Sequence, residues 1–130
     1  IDWINFEDGI MDEIAETVRG NARSAIKRAL EISAYAEVHN KSTFNKADWK
    51  ELCDLVGIMP FGINNTELQV MRILKERGAC TLQMLSAVTG MSRTAIQKDA
   101  EIFLLKQGFM RIDGKRELTG EGTKALEKIV

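Results

Sequence analysis

The sequence predicts a mainly α protein in two small modules. A three-helix bundle occupies residues 1–57, a linker 58–63, and a second helical module with one β-hairpin 64–130. Apolar residues recur at three- and four-residue spacing along most of the chain, the period of helices with one buried face. The single proline, Pro60, stands beside Gly62 between two such stretches and marks a joint. Only residues 109–118 read as paired strands, around the turn dipeptide Asp113-Gly114.

Each element follows from local signals. Ile10, Met11, Ile14 and Val18 define an amphipathic helix over 8–18 that ends near Gly20. Asn21 caps a second helix from Ala22 to about Val38, with Ala25, Ala29, Ile32 and Ala36 on one stripe. The polar run His39-Asn40-Lys41-Ser42 breaks it. Thr43 or Asn45 starts a third helix, which buries Trp49, Leu52, Cys53 and Val56 and stops at Gly57. In the second module Asn64 or Asn65 caps a helix carrying Leu68, Met71, Ile73 and Leu74, closed by Arg77-Gly78. Ala79-Cys80-Thr81 is extended. A helix over 82–89 turns Leu85 and Val88 inward, and Ser92 caps a third helix to Gln107 with Ile96, Ala100, Phe103 and Leu104 inward. Residues 109–112 and 116–118 form the hairpin, and Thr119 caps a last helix carrying Leu126 and Ile129. Helix, helix, turn, helix and hairpin is the order of a winged helix, whose second turn-flanking helix enters the major groove while the hairpin lies along the backbone.

Composition narrows the function classes. With 45% hydrophobic and 28% charged residues the chain has enough apolar content for a core, so disorder is not expected. No apolar run approaches the roughly 18 residues of a membrane span. Cys53 and Cys80 stand far apart with no ligand-spaced partner, which is neither a disulfide framework nor a zinc pattern and suits a reducing cytoplasm. The opening Ile1-Asp2-Trp3 carries no methionine and no signal-peptide pattern, so the chain is read as a fragment of something longer. Residues 1–60 hold 7 Lys and Arg against 11 Asp and Glu, a balance of −4. Residues 61–130 hold 11 against 8, a balance of +3, so two modules with different partners are expected.

No catalytic constellation is present. His39 is alone in a polar loop, without nucleophile or orienting partner near it in sequence, and no metal site is expected. The acidic residues of 7–16 lie mostly on a solvated helix face. No phosphate-cradling Gly-x-x-x-x-Gly-Lys-Ser/Thr loop occurs, so the chain alone cannot hold a nucleoside triphosphate. Met59, Met71, Met84 and Met110 read more simply as core filler than as a cofactor box. The candidate binding residues are cationic and polar. Arg93, Thr94, Gln97 and Lys98 follow Ser92 at the exposed start of the third helix of the second module, where free N–H groups meet phosphate and Arg or Gln reaches base edges. Arg111, Lys115 and Arg116 cluster on the hairpin, suited to phosphate or minor-groove contact. The alternative is a winged helix used for protein contact, its charges simply solvated. In Arg19-Gly20-Asn21-Ala22-Arg23, Arg23 faces the positive end of its own helix, which makes sense where an anion lies nearby.

With both modules in place, nearly the whole chain resembles the C-terminal part of the RuvB family, AAA+ motors that drive Holliday-junction branch migration. In that family a three-helix lid precedes a winged helix. The lid pattern close to Arg-Gly-Thr-Pro-Arg stands in register with Arg19-Gly20-Asn21-Ala22-Arg23, and the aromatic-Ala-Glu-Val ending with Tyr35-Ala36-Glu37-Val38. The Gln-Gly-Phe-Leu that opens the family's hairpin matches Gln107-Gly108-Phe109-Met110. The resemblance implies that Arg23 is a sensor-2 arginine reaching the nucleotide's γ-phosphate, with Arg19 and Ala22 beside it. It also implies ATP and Mg2+ bound mainly by a missing N-terminal domain, a homo-oligomeric, hexameric ring, a junction-binding loader, and duplex or junction DNA. The expected activity is that of an ATP-dependent DNA helicase or translocase in recombination and repair, with this fragment alone inactive. Two positions depart from the family: its proline before the arginine is Ala22, and its Thr-Pro-Arg-Gly-Arg wing is Ile112-Asp113-Gly114-Lys115-Arg116. The rivals are an AAA+ replication initiator or helicase loader, a winged-helix transcription regulator and a protein–protein adaptor.

Overall fold

The computed structural model describes residues 3–129. Ile1, Asp2 and Val130, the outermost residues of the two expected modules, lie outside the described residues. The architecture is mainly α, and the chain divides between Gly62 and Ile63 into two compact units. The expected linker 58–63 therefore does not stand apart: Pro60–Gly62 is a tight turn of the first unit with Phe61 at φ 62°, and Ile63 is buried in the second.

The first unit contains α1 (Ile10–Val18), α2 (Ala22–Val38) and α3 (Lys46–Val56). Local chemistry sets their ends. Asn21 accepts from the N–H groups of Arg23 and Ser24, satisfying two of the free donors that open α2. Asn45, not Thr43, starts α3: it forms a capping box with Asp48, and Gly57 ends the helix in the left-handed conformation. Ile10, Ile14, Ile32, Ala36 and Leu52 close the core around Phe44, on whose ring Tyr35 and Phe6 stand edge-on. Phe6 and Phe44 are brought together by a ladder the sequence did not suggest, in which β1 (Asn5–Phe6) runs parallel to β2 (Thr43–Phe44). Two-residue strands are too short to show an alternation. Several expected core positions are instead exposed, among them Met11, Ala25 and Val56, while Thr17 is buried with its hydroxyl donating to Ile14 O. Gly62, at φ 67°, lies so close to the Thr17 backbone that no side chain would fit there.

The second unit is a winged helix. Asn64 forms a capping box with Glu67 at the start of α4 (Asn65–Arg77), Thr81 caps α5 (Leu82–Thr89), and Ser92 caps α6, which runs over 93–106. Leu85, Ile96, Ala100, Phe103 and Leu104 face the core as expected, but Val88 is exposed. The regular ladder of α6 is interrupted by a π turn at Gln97–Glu101. β3 (Met110–Asp113) pairs antiparallel with β4 (Lys115–Leu118). The return strand starts one residue earlier than expected, because Asp113 pairs with Lys115 across Gly114 alone, which turns the chain at φ 69°. Cys80 bridges the outer edge of β4 at Arg116. Thr119 Oγ1 accepts from Gly122 N and opens α7 (Gly120–Ile129), whose Ala125 and Leu126 complete the core.

Candidate nucleic-acid interface

Ser92 fixes where α6 begins. Its hydroxyl accepts from Ala95 N, and the helix that follows presents Arg93, Thr94, Gln97 and Lys98 to solvent. Ile96 and Ala100 anchor the opposite side, so these four lie on the face turned away from the core. Arg93 and Lys98 have no carboxylate partner among the described residues, so their charge is free for an external anion.

The hairpin cations differ among themselves. Lys115 is exposed beside Gly114 at the apex. Arg111 is exposed, and its guanidinium is paired with Glu117 directly across the ladder. Arg116 is turned inward. Its Nε lies 2.7 Å and its Nη2 3.4 Å from the two carboxylate oxygens of Glu101, and the side chains retain 15% and 5% of their exposure. The expectation of Arg116 as a solvent-facing cation is therefore corrected, because its charge is neutralised inside the fold. Glu101 was missed by sequence reasoning, and it could not have been found. On a regular helix it falls about 140° around from the inward Ile96, and only the π turn brings it in.

In the first unit, Arg19 and Arg23 bracket the turn between α1 and α2. Arg19 adopts a left-handed backbone at φ 55°, and its Nη1 donates to Gly62 O at 3.3 Å, tying the turn to the joint. Ala22 and Arg23 are exposed in the first turn of α2. Arg23 has no side-chain hydrogen bond or ion pair among the described residues, a free guanidinium at a helix start. His39 is used structurally: it stacks on Tyr35 at 4.2 Å between ring centres, with Nδ1 2.9 Å from Tyr35 O. Burial, together with the neighbouring Glu51 and Asp48, pushes the Tyr35 hydroxyl well above the ordinary phenol range. Burial likewise pushes the Cys53 thiol up from 9.0 to about 11, against the pull of Arg28. Neither group belongs to the cationic face. Among the described residues no three carboxylates, cysteines or histidines are grouped to hold a metal, and no helix is long and apolar enough to cross a membrane.

Residues 60–127 match the RuvB C-terminal winged helix domain family. Curated relatives include the Holliday junction branch migration complex subunit RuvB of Fusobacterium nucleatum, 25% identical over 127 residues, which are 95% of this chain and 38% of that protein. The protein of the same name from Campylobacter hominis is 27% identical over 117 residues, 88% of this chain and 34% of that protein. The chain thus spans little more than a third of the length of these relatives. Among solved structures, the Thermotoga maritima RuvB Holliday junction branch migration motor superposes with a TM-score of 0.75 at 23% identity. That match covers 98% of this chain and 44% of the other. A T158V form of the same protein gives 0.76 at the same identity and coverage, and both likenesses are ones of fold.

Proposed function

This chain belongs to the RuvB C-terminal winged helix domain family, and from that premise we propose that it is the DNA-contacting, nucleotide-responsive end of a Holliday-junction branch-migration motor. The observation that carries the reading is the solvent face of α6. Arg93, Thr94, Gln97 and Lys98 stand together at a capped helix start, with Lys115 at the tip of the wing. A helix start of this kind offers backbone N–H groups to phosphate, and the two cations supply the charge that makes the contact independent of sequence. A motor that moves along DNA needs that kind of contact, since binding tied to base identity would hold it at one site. Arg111 contributes less, because Glu117 already neutralises it.

In the first unit Arg23 is the residue suited to a nucleotide phosphate. Its guanidinium is exposed at the start of α2, where a bound anion would also offset the unfavourable placement of a cation. Arg19 holds the preceding turn through Gly62 O, and Ala22 leaves the approach open. ATP with Mg2+, held mainly by a separate ATPase domain, would supply the free energy of translocation, and a homo-hexameric ring on duplex DNA is the assembly such a motor needs. A junction-binding protein that loads the ring, and action in the cytoplasm, belong to the same proposal.

The test is binding to a four-way junction and to a linear duplex by fluorescence anisotropy, for this chain and for its Arg93→Ala/Lys98→Ala variant. The expected result is binding without preference among duplex sequences, weakened at least tenfold in the variant. Strong preference for one duplex sequence would favour an initiator or regulator. Unchanged affinity in the variant would mean that the face meets protein. In the complete subunit, Arg23→Ala should abolish ATP-dependent branch migration with the fold intact, and wild-type migration in that variant would remove the nucleotide role.

A further inference from the structure

The π turn of α6, the Glu101 carboxylate and the wing are joined in one construction. At Gln97–Glu101 the helix makes i→i+5 bonds, and as a result two consecutive residues, Ala100 and Glu101, both point into the unit. A buried carboxylate is costly unless a cation and hydrogen bonds meet it. Arg116 meets it with two nitrogens, at 2.7 and 3.4 Å. Arg116 is in turn held by its backbone, since its N–H donates to Cys80 O at 2.7 Å and its carbonyl accepts from Cys80 N at 2.8 Å. The π turn is supported from outside the helix as well: Asn64 Nδ2 donates to Asp99 O at 3.1 Å while its Oδ1 caps α4. Irregular backbone braced from two sides and aimed at one ion pair is a built feature.

We propose that Glu101 and Arg116 are positioning residues that lock the wing at a fixed angle to the recognition helix α6, so that Lys115 and the Arg93–Lys98 face reach the same stretch of DNA. Its consequence for DNA rests on the function proposed above, whereas the lock itself does not. The pair contributes no phosphate contact. Removing the carboxylate therefore has opposite effects under the two available explanations. If Arg116 were a DNA cation restrained by Glu101, neutralising Glu101 would release it and tighten binding. If the pair positions the wing, the same change loosens binding and leaves the number of phosphate contacts unchanged.

The experiment is Glu101→Gln, nearly the same shape without the charge, read by amide hydrogen exchange of the free chain and by duplex binding across a salt series. Exchange at the Cys80 and Arg116 amides should quicken about tenfold, since the strands open once the charge-assisted link is gone, while α4 amides keep their wild-type rates. Affinity for a 20-base-pair duplex should fall about fivefold with the salt slope unchanged. Arg116→Lys keeps the charge but loses the two-pronged geometry, and it should give the same pattern in weaker form. It also carries the test if Glu101→Gln does not fold. The reversed pair Glu101→Arg/Arg116→Glu should recover slow wing exchange. Wild-type wing exchange in both single variants, or tighter DNA binding by Glu101→Gln, would overturn the proposal. If Arg93→Ala/Lys98→Ala leaves duplex binding untouched, the DNA reading fails by itself and hydrogen exchange still decides the lock.

Discussion

The salt dependence of duplex binding is the sharpest quantitative consequence of the proposed interface. Neutralising each phosphate releases counterions, so log K falls with log[salt] at a slope of about −0.9 per contact on B-form DNA. Five cations were expected at this face, but the structure leaves three available. Arg93, Lys98 and Lys115 are exposed with no carboxylate partner among the described residues, whereas Arg111 is paired with Glu117 and Arg116 with Glu101. Three contacts give a slope of about −2.7, which means about a 40-fold loss of affinity between 50 and 200 mM salt. Lys98→Ala removes one contact and should flatten the slope to about −1.8, cutting the same loss to about 12-fold. Fluorescence anisotropy on a labelled duplex at five or six salt concentrations measures both slopes. A wild-type slope shallower than about −1, or one that Lys98→Ala leaves unchanged, would refute the assignment of this face. A slope near −4.5 would show that Arg111 and Arg116 leave their carboxylates for phosphate, against the ion pairing described above.

Three further outcomes test the fold of the two units. Gly122→Ala should lower the urea midpoint by the equivalent of about 2 kcal/mol. A Cβ there overlaps the Phe109 carbonyl, and this outweighs the roughly 1 kcal/mol that alanine gains in a helix. Gly120→Ala, in the same helix with open space around it, should leave the midpoint unchanged or raise it, and equal behaviour of the two would contradict the close approach. Asn64→Ala loses the acceptor for Glu67 N and the donor to Asp99 O, and should cost about 1–2 kcal/mol in the same assay. Cys53 tests burial through pH. Its thiol is raised from 9.0 to about 11 in the folded chain, so the neutral form is favoured by folding. Its contribution to stability is then complete below pH 9 and is lost as pH rises through about 11. Alkylation by iodoacetamide at pH 8 should be about a hundredfold slower at Cys53 in the folded than in the denatured chain, and equal rates would show that the thiol is not shielded.

Most of the helices were legible because their signals are local. Asn21, Asn45, Asn64, Ser92 and Thr119 are short polar side chains that reach back to the N–H groups of the next turn, a contact decided within three or four residues, whereas Thr81, read only as part of an extended run, also caps its helix. The inward stripe Ile96, Ala100, Phe103 and Leu104 was equally plain. The exposed face opposite it followed, and with it Arg93, Thr94, Gln97 and Lys98 as the candidate contact residues. Met11, Val56 and Val88 were misplaced because periodicity says which side of a helix is apolar, not how far the neighbouring elements cover it.

What the sequence by itself determined is the order of the helices and the hairpin, most of the helix caps, and the uneven distribution of charge between the two halves, since each depends on residues a few positions apart. Only the tertiary structure decided how that charge is used. The β1–β2 ladder joins residues 38 apart, and the link from Glu101 to Arg116 crosses from a helix to a strand through a π turn. Such pairings depend on where the chain returns in space, and no spacing rule records that. An exposed lysine and a neutralised arginine therefore look alike in the sequence, although Lys115 faces solvent and Arg116 is paired with the buried Glu101.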